Sequence, residues 1–137
     1  MRKLTLISLT LFIIISPLQA AAAAPFDGSA TLLCAVIDVI ECGADGECLE
    51  VSAEAAGIPD FLIIDFENNT IRATEESGRI ETTAIQNVQH VDGKLILQGA
   101  ENGRGWSIVI SEDSGRMSAT VSDEEVGFIV FGASTKW

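Results

Sequence analysis

The chain has no tyrosine, two tryptophans and one histidine among 137 residues, and eight basic residues against twenty acidic ones. Each shortage excludes something. Two Trp and no Tyr supply an aromatic sugar-stacking platform poorly. One histidine rules out the paired histidines of His-Glu-x-x-His. A Gly-x-Ser-x-Gly elbow is absent, and "GAENGRG" (99–105) lacks the Lys-Ser/Thr that would end a phosphate loop. With none of these motifs, the expectation is a non-catalytic protein without a cofactor. The shortage of positive charge excludes nucleic-acid partners and disfavours anionic membrane surfaces, because both are polyanions.

Long apolar runs are also missing, with one exception at the start. Arg2 and Lys3 precede an apolar stretch, Leu4 to Ile15, which Pro17 ends; Leu18 to Ala24 then offers small residues. This is the layout of a signal peptide, expected over 1–23 with cleavage between 20 and 24. The apolar stretch is about 12 residues, short of the roughly 20 that span a bilayer. No cysteine stands at the cleavage region to carry a lipid. The expectation is a periplasmic or secreted chain with no stable membrane insertion once the signal is removed. Without Arg2 and Lys3, six basic residues face twenty acidic ones, a formal charge of −14. Eight of the acids fall in "ENN", "EES", "SED" and "SDEE", where solvation of turns accounts for them.

What remains, 25–137, reads as one all-β domain. Period-two alternation recurs: Leu49, Val51 and Ala53 on one face of "CLEVSAE", Ile71 and Ala73 in "TIRAT". The same holds for Trp106, Ile108 and Ile110 in "WSIVIS", and for Met117, Ala119 and Val121 in "RMSATV". Asp45-Gly46, Asn68-Asn69, Ser77-Gly78, Asp92-Gly93, Asn102-Gly103 and Ser114-Gly115 are turn pairs, since Gly, Asn and Asp tolerate positive φ. Only "EVSAEAAGI" resembles a helix, and Gly57 with Pro59 ends it early. The pattern predicts an antiparallel meander of eight or nine short strands forming a small barrel or sandwich.

Three cysteines lie at 34, 42 and 48. If Ala30–Glu41 and Cys48–Glu54 are neighbouring strands, pairing Cys42 with Cys48 sets Val39 opposite Val51 and Ile37 opposite Ala53. That register keeps apolar side chains together and brings the two thiols within the roughly 6.8 Å Cα limit of a disulfide. Cys34 lies about 27 Å up the strand, at about 3.3 Å per residue, and is left as the unpaired thiol. The spacings fit neither Cys-x-x-Cys redox chemistry nor a zinc knuckle, and "ADGE" lacks the order of a calcium loop. No metal site is expected.

Asp92 to Asp123, "DGKLILQGAENGRGWSIVISEDSGRMSATVSD", and the following "GFIVFGAS" resemble a group of small exported alphaproteobacterial proteins with no known function. The likeness runs from about Cys34 to Ser134. Members of that group usually end in "FGAC", so Ser134 stands where they carry a fourth cysteine. The resemblance implies that Cys34 pairs with that position, tying the first strand to the last.

Candidate binding residues are few. Arg104 and Trp106, in "GRGWS", combine a guanidinium with an indole on an acidic chain. Core packing also explains Trp106, and a loop salt bridge also explains Arg104. His90 lies near Asp92, but it flanks a turn with no Ser or Cys nucleophile nearby. Asp65 with Glu67 and Asp123 with Glu125 read as turn acids. The leading expectation is a binding or interaction module at the cell envelope, with a protein or small-molecule partner. The alternative is a small-ligand-carrying barrel, although bulky inward Trp106, Ile108, Ile110, Leu95 and Leu97 predict a filled interior. An enzyme using carboxylates near His90 or Arg104 ranks lower. Lowest is an outer-membrane barrel ending at Trp137, since the strands fall short of the roughly 9 to 11 residues that a span needs.

Overall fold

The computed structural model describes residues 24–137; the expected signal peptide, 1–23, lies outside the described residues. Ten strands follow in order: β1 Leu32–Gly43, β2 Cys48–Val51, β3 Phe61–Asp65, β4 Thr70–Ala73, β5 Thr82–Ala84, β6 Asn87–Val91, β7 Lys94–Glu101, β8 Arg104–Ser111, β9 Arg116–Ser122 and β10 Val126–Lys136. Every pairing is antiparallel, in the spatial order β5-β4-β3-β1-β10-β9-β8-β7-β6, with β2 beside β1. The fold is all-β, as the alternation predicts.

The two ends of that order are one piece of chain. Only Ile85 and Gln86 separate β5 from β6. Ile85 N–H donates to the Asn69 carbonyl (2.8 Å), and Gln86 N–H to the Gln98 carbonyl (2.9 Å). The sheet thus curls until one backbone segment bonds to strands at both of its ends, a barrel-like arrangement. Ten strands occupy fewer lanes than their number suggests. β3 and β2 pair with successive stretches of the same β1 edge, Leu32–Ala35 and Val39–Cys42.

Turn chemistry sets this layout locally. Asp92 with Gly93 and Asn102 with Gly103 adopt positive φ (49° and 71°, 51° and 80°), the geometry that matches the twist of two-residue hairpins. The "EVSAEAAGI" stretch makes a single turn. Ser52 Oγ accepts from Ala55 N–H (3.1 Å) and the Ser52 carbonyl from Ala56 N–H (3.1 Å), before Gly57 breaks away at φ 70°.

The Cys42–Cys48 disulfide forms in the expected register, with Val39 opposite Val51, Ile40 opposite Glu50 and a Cα–Cα distance of 4.1 Å. Its continuation differs. β1 carries a bulge between Val36 and Asp38, where Val36 faces Gly132 and Asp38 faces Phe131. The extra residue, Ile37, turns outward to 65% exposure rather than facing Ala53, and β2 has already ended at Val51. The bulge reverses inward parity, from Leu32 and Cys34 before it to Val39 after it, and lets a twelve-residue strand follow a curved wall. Leu49, expected inside, is 68% exposed because the core on this strand ends at Val51.

Inward side chains form one continuous core from Leu32, Cys34 and Val39 on β1 through Ile64, Ile71, Leu95, Leu97, Ile108, Ile110 and Met117 to Phe128 and Val130. Close packing governs two glycines. A Cβ at Gly99 would collide with the Trp106 ring, and one at Gly132 with the Ala35 carbonyl beside the bulge. Opposite each other across β1 and β10 stand Cys34 and Ser134, Sγ to Oγ 3.0 Å. This adjacency matches what the resemblance implies. Cys34 is wholly buried, and loss of hydration pushes its thiol pKa up to about 11.

Candidate ligand cavity

The barrel interior is not uniform along its axis. At one end, Leu32, Ile64, Leu95, Leu97 and Ile110 are each at most 1% exposed. The segment before β1 closes that end. Phe26 N–H bonds to the Glu112 carbonyl (2.9 Å), the Phe26 ring rests on Gly115, and Gly28 sits against Phe66 and Leu95. The expectation of a filled interior holds here.

It fails at the other end. A cavity of about 600 Å³ is walled by Leu62, Ile71, Ile108, Met117, Val121 and Phe128, with Trp106 among them. The opening exists because inward residues toward this end of β4 and β9 are small, Ala73 and Ala119, and because the turn at 52–60 arches beside it. The Trp106 indole lies over Gly99 and donates from Nε1 to Thr83 Oγ1 (3.3 Å). Its ring is thereby held as a wall of the cavity instead of a plug.

The rim is polar. Arg104 lies two residues before Trp106 on the same inward face of β8. It donates from Nε to Asp123 Oδ2 (2.9 Å), and its guanidinium carbon stands 5.7 Å from the Phe128 ring centre. Asp123 is anchored in turn, since Oδ1 accepts from the backbone N–H groups of Glu125 and Val126, each at 2.9 Å. The Val126 and Glu125 amides, then Arg104, hold the Asp123 carboxyl below its ordinary pKa. From the segment after the 3₁₀ turn at Glu75–Ser77, Arg79 donates from Nη1 to the Gly57 carbonyl (2.6 Å), joining two loops at the cavity mouth. Glu81, Glu101 and Asn102 complete the exposed edge.

The structure therefore brings together two of the three residues singled out from sequence, Arg104 and Trp106, and separates the third. His90 is exposed on β6, with Nδ1 2.6 Å from Glu112 Oε1, and does not line the cavity. Asp65, likewise, caps its own turn through Asn68 (backbone N–H 3.0 Å, side-chain amide 2.7 Å). Sequence reasoning missed Arg79 and Phe128. Phe128 alternates visibly with Val130, but nothing local marks Arg79, which reaches the mouth only through the course of its loop. Among the described residues no three His, Cys, Asp or Glu side chains gather as metal ligands, and no helix is long and apolar enough to cross a membrane. Comparison with protein-family models, curated proteins and solved structures finds no match to this chain.

Proposed function

We propose that this protein is an exported, non-catalytic binding barrel that carries a small, largely apolar ligand in the cavity behind Trp106. One observation carries the reading: an otherwise close-packed core holds a space of about 600 Å³ bounded by apolar side chains and edged by a few fixed polar groups. Binding sites for small molecules typically measure about 300–1,000 Å³ and share that mixture. The space opens at its rim, so an apolar occupant exchanges water against these walls for hydrocarbon contact, which is favourable. The Cys42–Cys48 bridge supports export, since disulfides persist in oxidising compartments. Arg104 and Asp123 are engaged with each other and with backbone, which favours recognition over acid–base work.

The test is fluorescence titration with N-phenyl-1-naphthylamine, a neutral apolar probe, against the purified mature chain and an Ala119→Phe variant that fills the cavity. Saturable one-site binding is expected for the parent. The variant should bind at least about tenfold more weakly, a loss of about 1.4 kcal/mol, with cooperative unfolding retained. No saturable enhancement with the parent protein would sink the reading.

A further inference from the structure

The rim chemistry narrows the ligand to one class, an inference that rests on the carrier reading above. We propose that the occupant is a singly charged anionic amphiphile, a fatty carboxylate in chemical terms, with its head group on the Arg104 guanidinium and its tail among the apolar walls.

Charge placement is the first argument. Only six basic residues follow Pro25, and two of them, Arg79 and Arg104, stand at the mouth of this one cavity on a strongly acidic chain. Geometry is the second. Arg104 is held by Asp123 through Nε and by the face of Phe128, which fixes the guanidinium plane before any ligand arrives. Among the described residues its two Nη groups have no hydrogen-bond partner. A planar fork with free N–H donors matches a carboxylate bidentately. Asp123 does not rely on Arg104 alone, because two backbone amides also satisfy it, so a second carboxylate on the guanidinium leaves that anchor intact. Arg79, with one Nη engaged at the Gly57 carbonyl, retains further donors at the same mouth.

The rim also limits the charge. Glu81 and Glu101 are exposed at the edge with no basic partner among the described residues. They repel a dianion more than a monoanion, so a phosphate monoester is disfavoured where a carboxylate is accepted. The walls supply the remaining selectivity: Trp106, Ile108, Met117, Val121 and Phe128 offer few polar partners beyond the rim, which suits a hydrocarbon tail.

The experiment compares cis-parinaric acid, a fluorescent polyene carboxylate, with its methyl ester, using the mature disulfide-bonded chain. The parent protein is expected to bind the acid about tenfold more tightly than the ester, the effect of one charge-assisted pair. Arg104→Gln should erase that ratio, and Arg104→Lys should restore it in part. Equal affinity for acid and ester in the parent protein, or an undiminished ratio in Arg104→Gln, overturns the anionic head group and leaves the carrier reading standing. Failure of acid, ester and neutral probe alike overturns both. If Arg104→Gln does not fold, the parent's acid-to-ester ratio decides alone.

Discussion

The two ends of the barrel share the same strands and differ in what those strands point inward. Toward the closed end, β7 contributes Leu95 and Leu97 and β8 contributes Ile110, all with no measurable exposure. Toward the open end the same two strands contribute Gly99 and Glu101, and Trp106 and Arg104. Two hydrogen-bonded strands thus pass from filling a core to bordering a cavity within about four residues, roughly 13 Å at 3.3 Å per residue. The period-two rule decides which side chains face inward. Their size and polarity decide whether the space is filled.

The largest effect expected from sharpening this contrast comes from reinforcing the closed end. Ser134 N–H bonds across to the Gly115 carbonyl, so toward β1 the Cys34–Ser134 pair is a non-hydrogen-bonded one, where side chains approach most closely. Ser134→Cys should therefore oxidise to a second disulfide. Closing a loop of that span, with a sequence separation of 100, stabilises by up to about 4–5 kcal/mol, against about 2 kcal/mol for the six-residue separation of Cys42–Cys48. Denaturant unfolding with and without reductant measures the gain. Probe affinity at the open end should not change.

A smaller effect would break the comparison if it failed to appear. Leu97→Ala removes a wholly buried side chain from the packed end and should cost about 3 kcal/mol. Val121→Ala removes a cavity-wall side chain that is only half-buried, and should cost about 1 kcal/mol. Equal losses in chemical denaturation would mean that the two ends are packed alike.

The smallest effect concerns the thiol at the closed end. Cys34 should be unreactive toward a thiol reagent in the native protein and give one thiol per chain in denaturant. Its folded pKa is raised, so the stability it contributes is complete below the thiol's ordinary value of 9.0 and is lost as pH rises toward about 11. Cys34→Ala should flatten the fall in stability across that alkaline interval. An unchanged slope would show that the thiol is already solvated.

How much of this was legible beforehand depends on the range of the interactions. Each of the six turn pairs places at least one residue at positive φ, because that preference resides in the residues themselves. The Cys42–Cys48 register was readable because a short hairpin admits few alternatives and only one keeps Val39 against Val51. Ile37 was misplaced because "AVIDVI" is apolar on both parities and gives no sign of where a bulge interrupts it. The pairing of Arg104 with Trp106 was visible from their spacing on one strand. That they border open space was not, because a cavity is what the side chains of many strands fail to fill together.

By itself the sequence determined the class of fold, the positions of its turns, the hairpin disulfide and the inward faces of most strands. All of these follow from local dihedral preference and period-two alternation. Only the tertiary structure decided the remainder. Closure through Ile85 and Gln86, the facing of Cys34 with Ser134, and the unfilled end where Arg79 meets the Gly57 carbonyl join residues far apart in the chain. Such contacts depend on curvature and on the summed volume of many side chains, and no single segment carries that information.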